Sequence, residues 1–203
     1  MSKKEHWEQI YTERKPSQVS WYQSGPYLSL SLIELSHLKP TDSIIDVGGG
    51  ASTLIDSLLL GGYTNISVLD ISSQSLEHAK KRLGDQARQV KWLVSDITEF
   101  TPEESYLLWH DRAVFHFLTD AEDRKKYINT MRQSVPAGGH IIIAAFSIGG
   151  PEKCSGLEIV QYDADKLKNE FGNKFKLLKT INETHITPNN AEQNFTYYHF
   201  LRL

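Results

Sequence analysis

The chain reads as an α/β protein with a doubly wound, mostly parallel seven-stranded sheet, and three observations predict it. Short apolar runs alternate with helix-period segments through the middle of the sequence. Parallel neighbours need such crossovers, because only a long connection returns the chain to the same edge of a sheet. The first run closes in Asp46-Val47-Gly48-Gly49-Gly50, a strand end followed by a sharp, uncluttered turn. Two late strand candidates, 175–181 and 194–201, have no helix-period segment between them, which predicts an antiparallel hairpin at the sheet edge, with helices on both faces of the whole.

In chain order, Trp7, Ile10, Tyr11 and Arg14 fall at helical spacing and end at the turn-prone "KPSQ". Pro26 suits the first turn of a second helix, which must stop before Pro40. Residues 43–47 form a buried strand, 53–60 a helix ended by Gly61-Gly62, and 66–69 a second strand. Ser72 or Ser73 caps a helix that runs through Leu83 to Gly84, and 90–94 and 106–109 are the third and fourth strands. Thr119 and Glu122 stand at capping-box spacing, predicting a helix from Asp120 to about Ser134. A fifth strand, 140–146, and a helix capped by Asp163 and ended by Gly172 complete the pattern, with 185–195 as the hairpin loop. Residues 1–39 are expected to be a helical lid segment ahead of one domain, 40–203.

Composition narrows the function classes. Lys plus Arg number 22 against 25 Asp plus Glu, a formal charge of −3 that gives no bulk attraction to a polyanion. The clusters Lys80-Lys81-Arg82 and Arg124-Lys125-Lys126 fit solvated helix faces, so no nucleic-acid partner is expected. The single cysteine, Cys154, excludes an internal disulfide and a multi-cysteine metal cage. Histidines 110, 116, 140, 185 and 199 show no ligand spacing, and no metal is expected. The opening "MSKKEHWEQIYTERK" lacks a signal peptide's apolar core, and no run approaches the roughly 20 apolar residues of a membrane span. A cytoplasmic protein with no membrane partner is the expectation.

The glycine turn carries most of the functional information. A phosphate-binding loop of the GxxxxGK[ST] kind needs a lysine, and none lies between Lys39 and Lys80. The dinucleotide fingerprint matches at Gly48 and Gly50 but meets Thr53 at its sixth position. Asp46, two residues before the first glycine, would repel a pyrophosphate and attract an ammonium or sulfonium. Asp70 closes the second strand, where a carboxylate accepts both hydroxyls of a ribose diol, and Asp96 comes after the third strand at the edge of the same crevice.

On Asp46, Gly48, Gly50, Asp70 and Asp96 the chain resembles the class I S-adenosylmethionine-dependent methyltransferases, with Ser52 standing where that family often has glycine. The resemblance covers roughly 40–203. It implies S-adenosylmethionine as cofactor, its ammonium held at Asp46 and its body passing over Gly48, Gly49 and Gly50. It also implies that Asp70 binds the ribose and that Ile71 packs on the adenine, with Asp96 and Ile97 on the other side.

For the acceptor side, His110 and Asp111 come at the end of the fourth strand, where this fold faces the transferable methyl. Either one orients the acceptor or takes its proton, or Arg112 pairs with Asp111 and the stretch is a structural turn. His116 and Phe117 are expected to form the wall of the next helix. The sequence "HDRA" replaces the [DN]-P-P-[YFW] of the superfamily's amide and amino-base methyltransferases, which counts against those acceptors. "HWEQIY" and "SWYQSGP" resemble the lid segments of some lysine and small-molecule methyltransferases in the superfamily. Trp21 and Tyr22 there either attract a cationic acceptor by their ring faces or simply pack on the sheet, whereas Trp7 is expected to pack. Residues 146–163 are expected as a loop over the site, with Cys154 inert. The leading function is methyl transfer to a small molecule or a protein side chain, between which nothing in the sequence selects, nor does it assign an oligomeric state. A non-catalytic cofactor- or partner-binding module and an NAD-dependent oxidoreductase are the competing readings.

Overall fold

The computed structural model describes residues 2–203. Two helices, α1 (Lys3–Glu13) and α2 (Tyr27–Glu34), precede the sheet. Then come β1 (Ile44–Val47), α3 (Leu54–Leu60), β2 (Ile66–Asp70), α4 (Ser73–Leu83), β3 (Val90–Val94) and β4 (Leu108–Arg112). The chain continues through α5 (Ala121–Ser134), β5 (His140–Phe146), a short hairpin of β6 (Lys153–Cys154) and β7 (Leu157–Glu158), α6 (Ala164–Phe171), β8 (Phe175–Ile186) and β9 (Glu192–Arg202).

The seven-stranded sheet has the order β3-β2-β1-β4-β5-β9-β8. β1 through β5 are parallel, and β9 enters antiparallel between β5 and β8. Strand order reverses between β1 and β4, which opens a crevice beyond their carboxyl ends.

Side-chain alternation sorts the core into two layers. Ile44, Leu108, Ile142 and Ala144 pack against α2, α3 and α4 through Leu32, Ile33, Leu54, Leu58 and Leu76. Ile45, Val47, Trp109, Ile141 and Ile143 pack against α5 and α6 through Tyr127, Met131, Leu167 and Phe171. Each fully buried aliphatic side chain contributes roughly 1.5–3 kcal/mol, so strands apolar on both faces hold this three-layer arrangement. Leu32 and Ile33 share the layer of Ile44, which makes α2 part of the domain core, though its Ser29 also borders the crevice that α1 and the loop after it overlie.

Local signals fix most helix ends. The Ser72 hydroxyl accepts from Ser75 N–H at 3.1 Å and α4 ends at Gly84 with φ 57°; the Asp163 carboxylate accepts from Lys166 N–H at 2.8 Å and α6 ends at Gly172 with φ 73°. Three expectations need correction. Asp120, not Thr119, caps α5, its carboxylate accepting from Glu122 N–H at 2.7 Å. The fourth strand lies at 108–112, because pairing with β1 and β5 on both sides carries it through His110 and Asp111. The stretch 185–195 is mostly strand, since β8 and β9 pair from Phe175↔Arg202 to Ile186↔Glu192 and leave only 187–191 as the loop.

Candidate active site

The glycine turn and its acids fit one another. Gly48 and Gly50 adopt φ 67° and 37°, the left-handed region that side chains disfavour. A Cβ at Gly49 would strike the Asp46 carboxylate and Val68, and one at Gly50 would lie 2.6 Å from Asp70 Oδ2. The glycines therefore make room for two carboxylates as well as for a ligand.

Asp46 is buried in β1, and its Oδ1 accepts from His110 Nδ1–H at 2.6 Å. This bond sets the tautomer, leaving Nε2 to accept from the Ser29 hydroxyl of α2 at 2.9 Å. His110 thus reaches the crevice wall with both ring nitrogens engaged, and its contact is to Asp46 rather than to open space. Asp70 closes β2 with Oδ1 accepting from Ser72 N–H at 2.8 Å. Burial pushes its carboxyl up to about 7.

The crevice has two compartments. Asp46, Gly49, Ser52, Thr53, Tyr22 and Gln23 border the first, a polar one. Leu69, Asp70, Ile71, Val114, Phe117 and Trp7 border the second, a more apolar one. Gly48, Tyr11, Trp21 and Arg112 border both.

α1 forms the roof. Glu8 reaches the amino end of α4, where its carboxylate accepts from Ser73 N–H (2.8 Å), Gln74 N–H (3.0 Å) and the Ser72 and Ser73 hydroxyls (2.9 Å each). Those amides are the orphan donors of a helix start, which an acid from another segment satisfies here. Lys3 pairs with Asp123 of α5 at 2.8 Å, so the roof is fastened on two sides. Beneath it Trp7 meets Trp21 and Phe117 edge to face at 5.5 and 5.1 Å, and Trp21 Nε1–H donates to the Tyr11 hydroxyl at 3.2 Å. Trp21 faces both compartments, and Tyr22 faces the polar one and a neighbouring groove beside Glu183 and His185.

Asp111 takes a different place from the one expected. It alternates to the far face of β4 and is fully buried, accepting from Val114 N–H (2.8 Å), Phe115 N–H (3.0 Å) and the Tyr127 hydroxyl (2.6 Å). It holds the turn after β4 against α5, borders neither compartment, and makes no pair with Arg112. Asp96 is also apart from the crevice: its Oδ1 accepts from Thr98 N–H and Oγ1 at 2.8 Å each, and it borders a separate hollow with Ser2 and Lys3. Ile71 stands between that hollow and the apolar compartment, while Ile97 is core. His116 is buried against Phe146 and Phe195, not on the wall, whereas Phe117 is on it. Cys154 borders the apolar compartment from β6, and burial pushes its thiol up to about 12, an inert state. Trp7 packs as expected but also lines the site.

Tyr11 and Arg112 border the crevice and Glu8 fastens its roof, and none of the three is among the site candidates of the sequence. The helical spacing of Trp7 and Tyr11 was the available signal for one, and the period of two from His110 to Arg112 for another. Glu8 carries no local signal.

A family model described as a methyltransferase domain matches residues 44–139. The eEF1A lysine and N-terminal methyltransferase of Mus musculus is 28% identical over 121 residues, which are 59% of this chain and 17% of that protein. The matched segment is thus a small part of that relative. Among solved structures, a SAM-dependent methyltransferase from Anabaena variabilis superposes with a TM-score of 0.78 at 16% identity, covering 100% of this chain and 96% of the other. The N-methyltransferase NodS from Bradyrhizobium japonicum, in complex with S-adenosyl-l-homocysteine, gives 0.67 at 15% identity, covering 96% and 97%. In its sheet order the chain has the fold of these S-adenosylmethionine-dependent methyltransferases, and the methyltransferase-domain match runs from β1 to the turn before β5, with the glycine turn at the switch point inside it.

Proposed function

We propose that the chain binds S-adenosylmethionine and transfers its methyl group to a small molecule or a protein side chain. The observation that carries this is the two-compartment crevice with one acid in each part. A polar compartment at Asp46 suits an amino-acid end with an ammonium, and an apolar one closed by Asp70 suits an adenosine whose diol donates to a carboxylate. When bound, the cofactor supplies an activated methyl for in-line displacement. The chain's own residues then orient and dehydrate: His110 fixes the rotamer of Asp46, while Trp7, Tyr11 and Trp21 under α1 exclude water. Residues 3–25 serve as the lid, and the Glu8 contact to α4 holds it down. The acceptor is open between the classes that relatives act on by name, a protein lysine or amino terminus and an N-methylated substrate. A cytoplasmic setting is part of the proposal, supported by the single free thiol of Cys154.

Calorimetry with S-adenosylhomocysteine tests the reading. The wild type is expected to bind, and Asp70→Asn to bind at least about tenfold more weakly, or 1.4 kcal/mol. No binding at millimolar ligand sinks the proposal. Labelled-methyl transfer into a cell extract by wild type but not by Asp70→Asn separates an enzyme from a binding module, and unchanged NADH fluorescence on mixing sets aside nicotinamide chemistry.

A further inference from the structure

Arg112 ends β4 on the crevice side and borders both compartments, yet its side chain is only 10% exposed. A guanidinium carries five N–H donors in a rigid fork. Here Nε donates to the Tyr197 hydroxyl and Nη1 to the Trp21 carbonyl, each at 2.9 Å. Nη2 finds no hydrogen-bond partner among the described residues. Glu183 Oε2 lies 3.7 Å from it, beyond hydrogen-bond reach, and the guanidinium carbon rests 4.6 Å over the Phe195 ring. Glu183 is itself committed, accepting from the Tyr197 hydroxyl at 3.1 Å and from Gln23 Nε2 at 3.0 Å.

A strut that ties the lid loop at Trp21 to the β8–β9 hairpin accounts for Nε and Nη1. It does not account for Nη2, which is buried and ion-paired with Glu183 but has no hydrogen-bond acceptor among the described residues. Such a deficit is costly and is retained where a ligand completes it. We propose that Arg112 is the receptor for a carboxylate carried by a ligand in the crevice, taken up through Nη2 and the free donor of Nη1. The planar fork matches a carboxylate in two-point contact. A dianionic phosphate fits less well, because Asp46 and Asp70 border the two compartments that Arg112 joins and repel the second charge.

That carboxylate has two candidate sources: the amino-acid end of the cofactor, or the methyl acceptor. The choice between them rests on the methyltransferase reading; the existence of the receptor does not. Binding is measured on the full chain with S-adenosylhomocysteine, with 5′-methylthioadenosine, which lacks the amino-acid group, and with acetate and benzoate added to apo and adenosylhomocysteine-saturated protein. Arg112→Lys keeps the charge and loses the fork. The double variant Arg112→Gln/Glu183→Gln removes both charges, so that no lone buried carboxylate burdens folding. The Arg112 side-chain Nε–H resonance in the wild type reports contact directly.

In both variants at least one carboxylate probe is expected to bind tenfold or more weakly, with methylthioadenosine unchanged. Weakening confined to S-adenosylhomocysteine assigns the cofactor's carboxylate. Weakening of acetate or benzoate on the saturated protein, with adenosylhomocysteine affinity intact, assigns an acid-bearing acceptor. Equal loss for methylthioadenosine means a strut and overturns the proposal, as does the lack of any Arg112-dependent carboxylate binding. If the wild type binds neither adenosyl compound, the methyltransferase reading falls, and acetate and benzoate on the apo protein still decide the role of Arg112.

Discussion

Asp70 and Asp111 are both buried carboxylates near the carboxyl edge of one sheet, and burial pushes both up, to about 7 and about 6. Their surroundings differ in what is left over. Asp111 accepts two backbone N–H groups and the Tyr127 hydroxyl, and it borders neither compartment of the crevice. Asp70 accepts one backbone N–H, from Ser72, and turns Oδ2 toward Gly50 and the apolar compartment. Burial alone does not mark a functional acid; unspent hydrogen-bonding capacity beside a cavity does. The same criterion separates Arg112, whose Nη2 has no hydrogen-bond acceptor among the described residues, from Arg82, whose fork is filled by Asp56 and the Ala51 and Ser52 carbonyls.

The largest effect expected from this contrast is on pH dependence. Asp70 has a folded value above its ordinary 3.8, so between about pH 4 and 7 the folded apo protein holds more protons than the unfolded chain. Its contribution is fully present below that window and is lost as pH rises through about 7, by on the order of several kcal/mol. The half-buried His140 and buried His199, 2.9 Å apart and with both rings pushed down, His199 to about 4, slope the other way below pH 6.5. The measurement is therefore the difference in denaturant stability between wild type and Asp70→Asn across pH 4 to 8. A flat difference breaks the comparison.

Next in size, Asp111→Ala leaves two amides and a buried hydroxyl without an acceptor and is expected to cost about 3 kcal/mol of stability. The protein that stays folded should bind S-adenosylhomocysteine as wild type does. Altered affinity with unchanged stability would return Asp111 to the site.

A smaller effect belongs to His110. Removing the ring as His110→Leu takes the donor from buried Asp46 and should cost about 2 kcal/mol together with cofactor affinity, whereas His110→Asn, whose amide reproduces the Nδ1 donor, recovers most of both. Equal damage from the two variants, with a shifted pH–rate profile, would instead mark His110 as a base. Ser29→Ala, which removes only the hydroxyl on Nε2, should cost less than about 1 kcal/mol in the same unfolding experiment and sharpen the assignment of the tautomer.

The helices and strands were largely legible because their signals are local. Ser72, Asp163, Gly84 and Gly172 act within one turn of where they stand, and apolar runs of four to seven residues mark β1, β2 and β5. The glycine turn was legible for the same reason, since Asp46 and Gly48 to Gly50 are neighbours in sequence. The end of β4 was not. "LWHDR" is polar enough to read as loop, and only hydrogen bonding to β1 and β5 on both sides makes it strand. One misplaced boundary was enough to bring Asp111 to the crevice on paper, because side chains alternate faces at every residue.

The sequence by itself determined the doubly wound sheet, the switch-point turn and the two acids at Asp46 and Asp70, all encoded by periodicity, caps and short-range spacing. Tertiary structure decided which face of β4 each side chain takes, that Glu8 closes the roof from a helix more than sixty residues away from Ser72 to Gln74, and that Arg112 Nη2 is buried beside the crevice without a hydrogen-bond acceptor. Those outcomes depend on which distant groups arrive to satisfy a buried charge, and hydrogen-bond accounting of that kind exists only once the chain is folded.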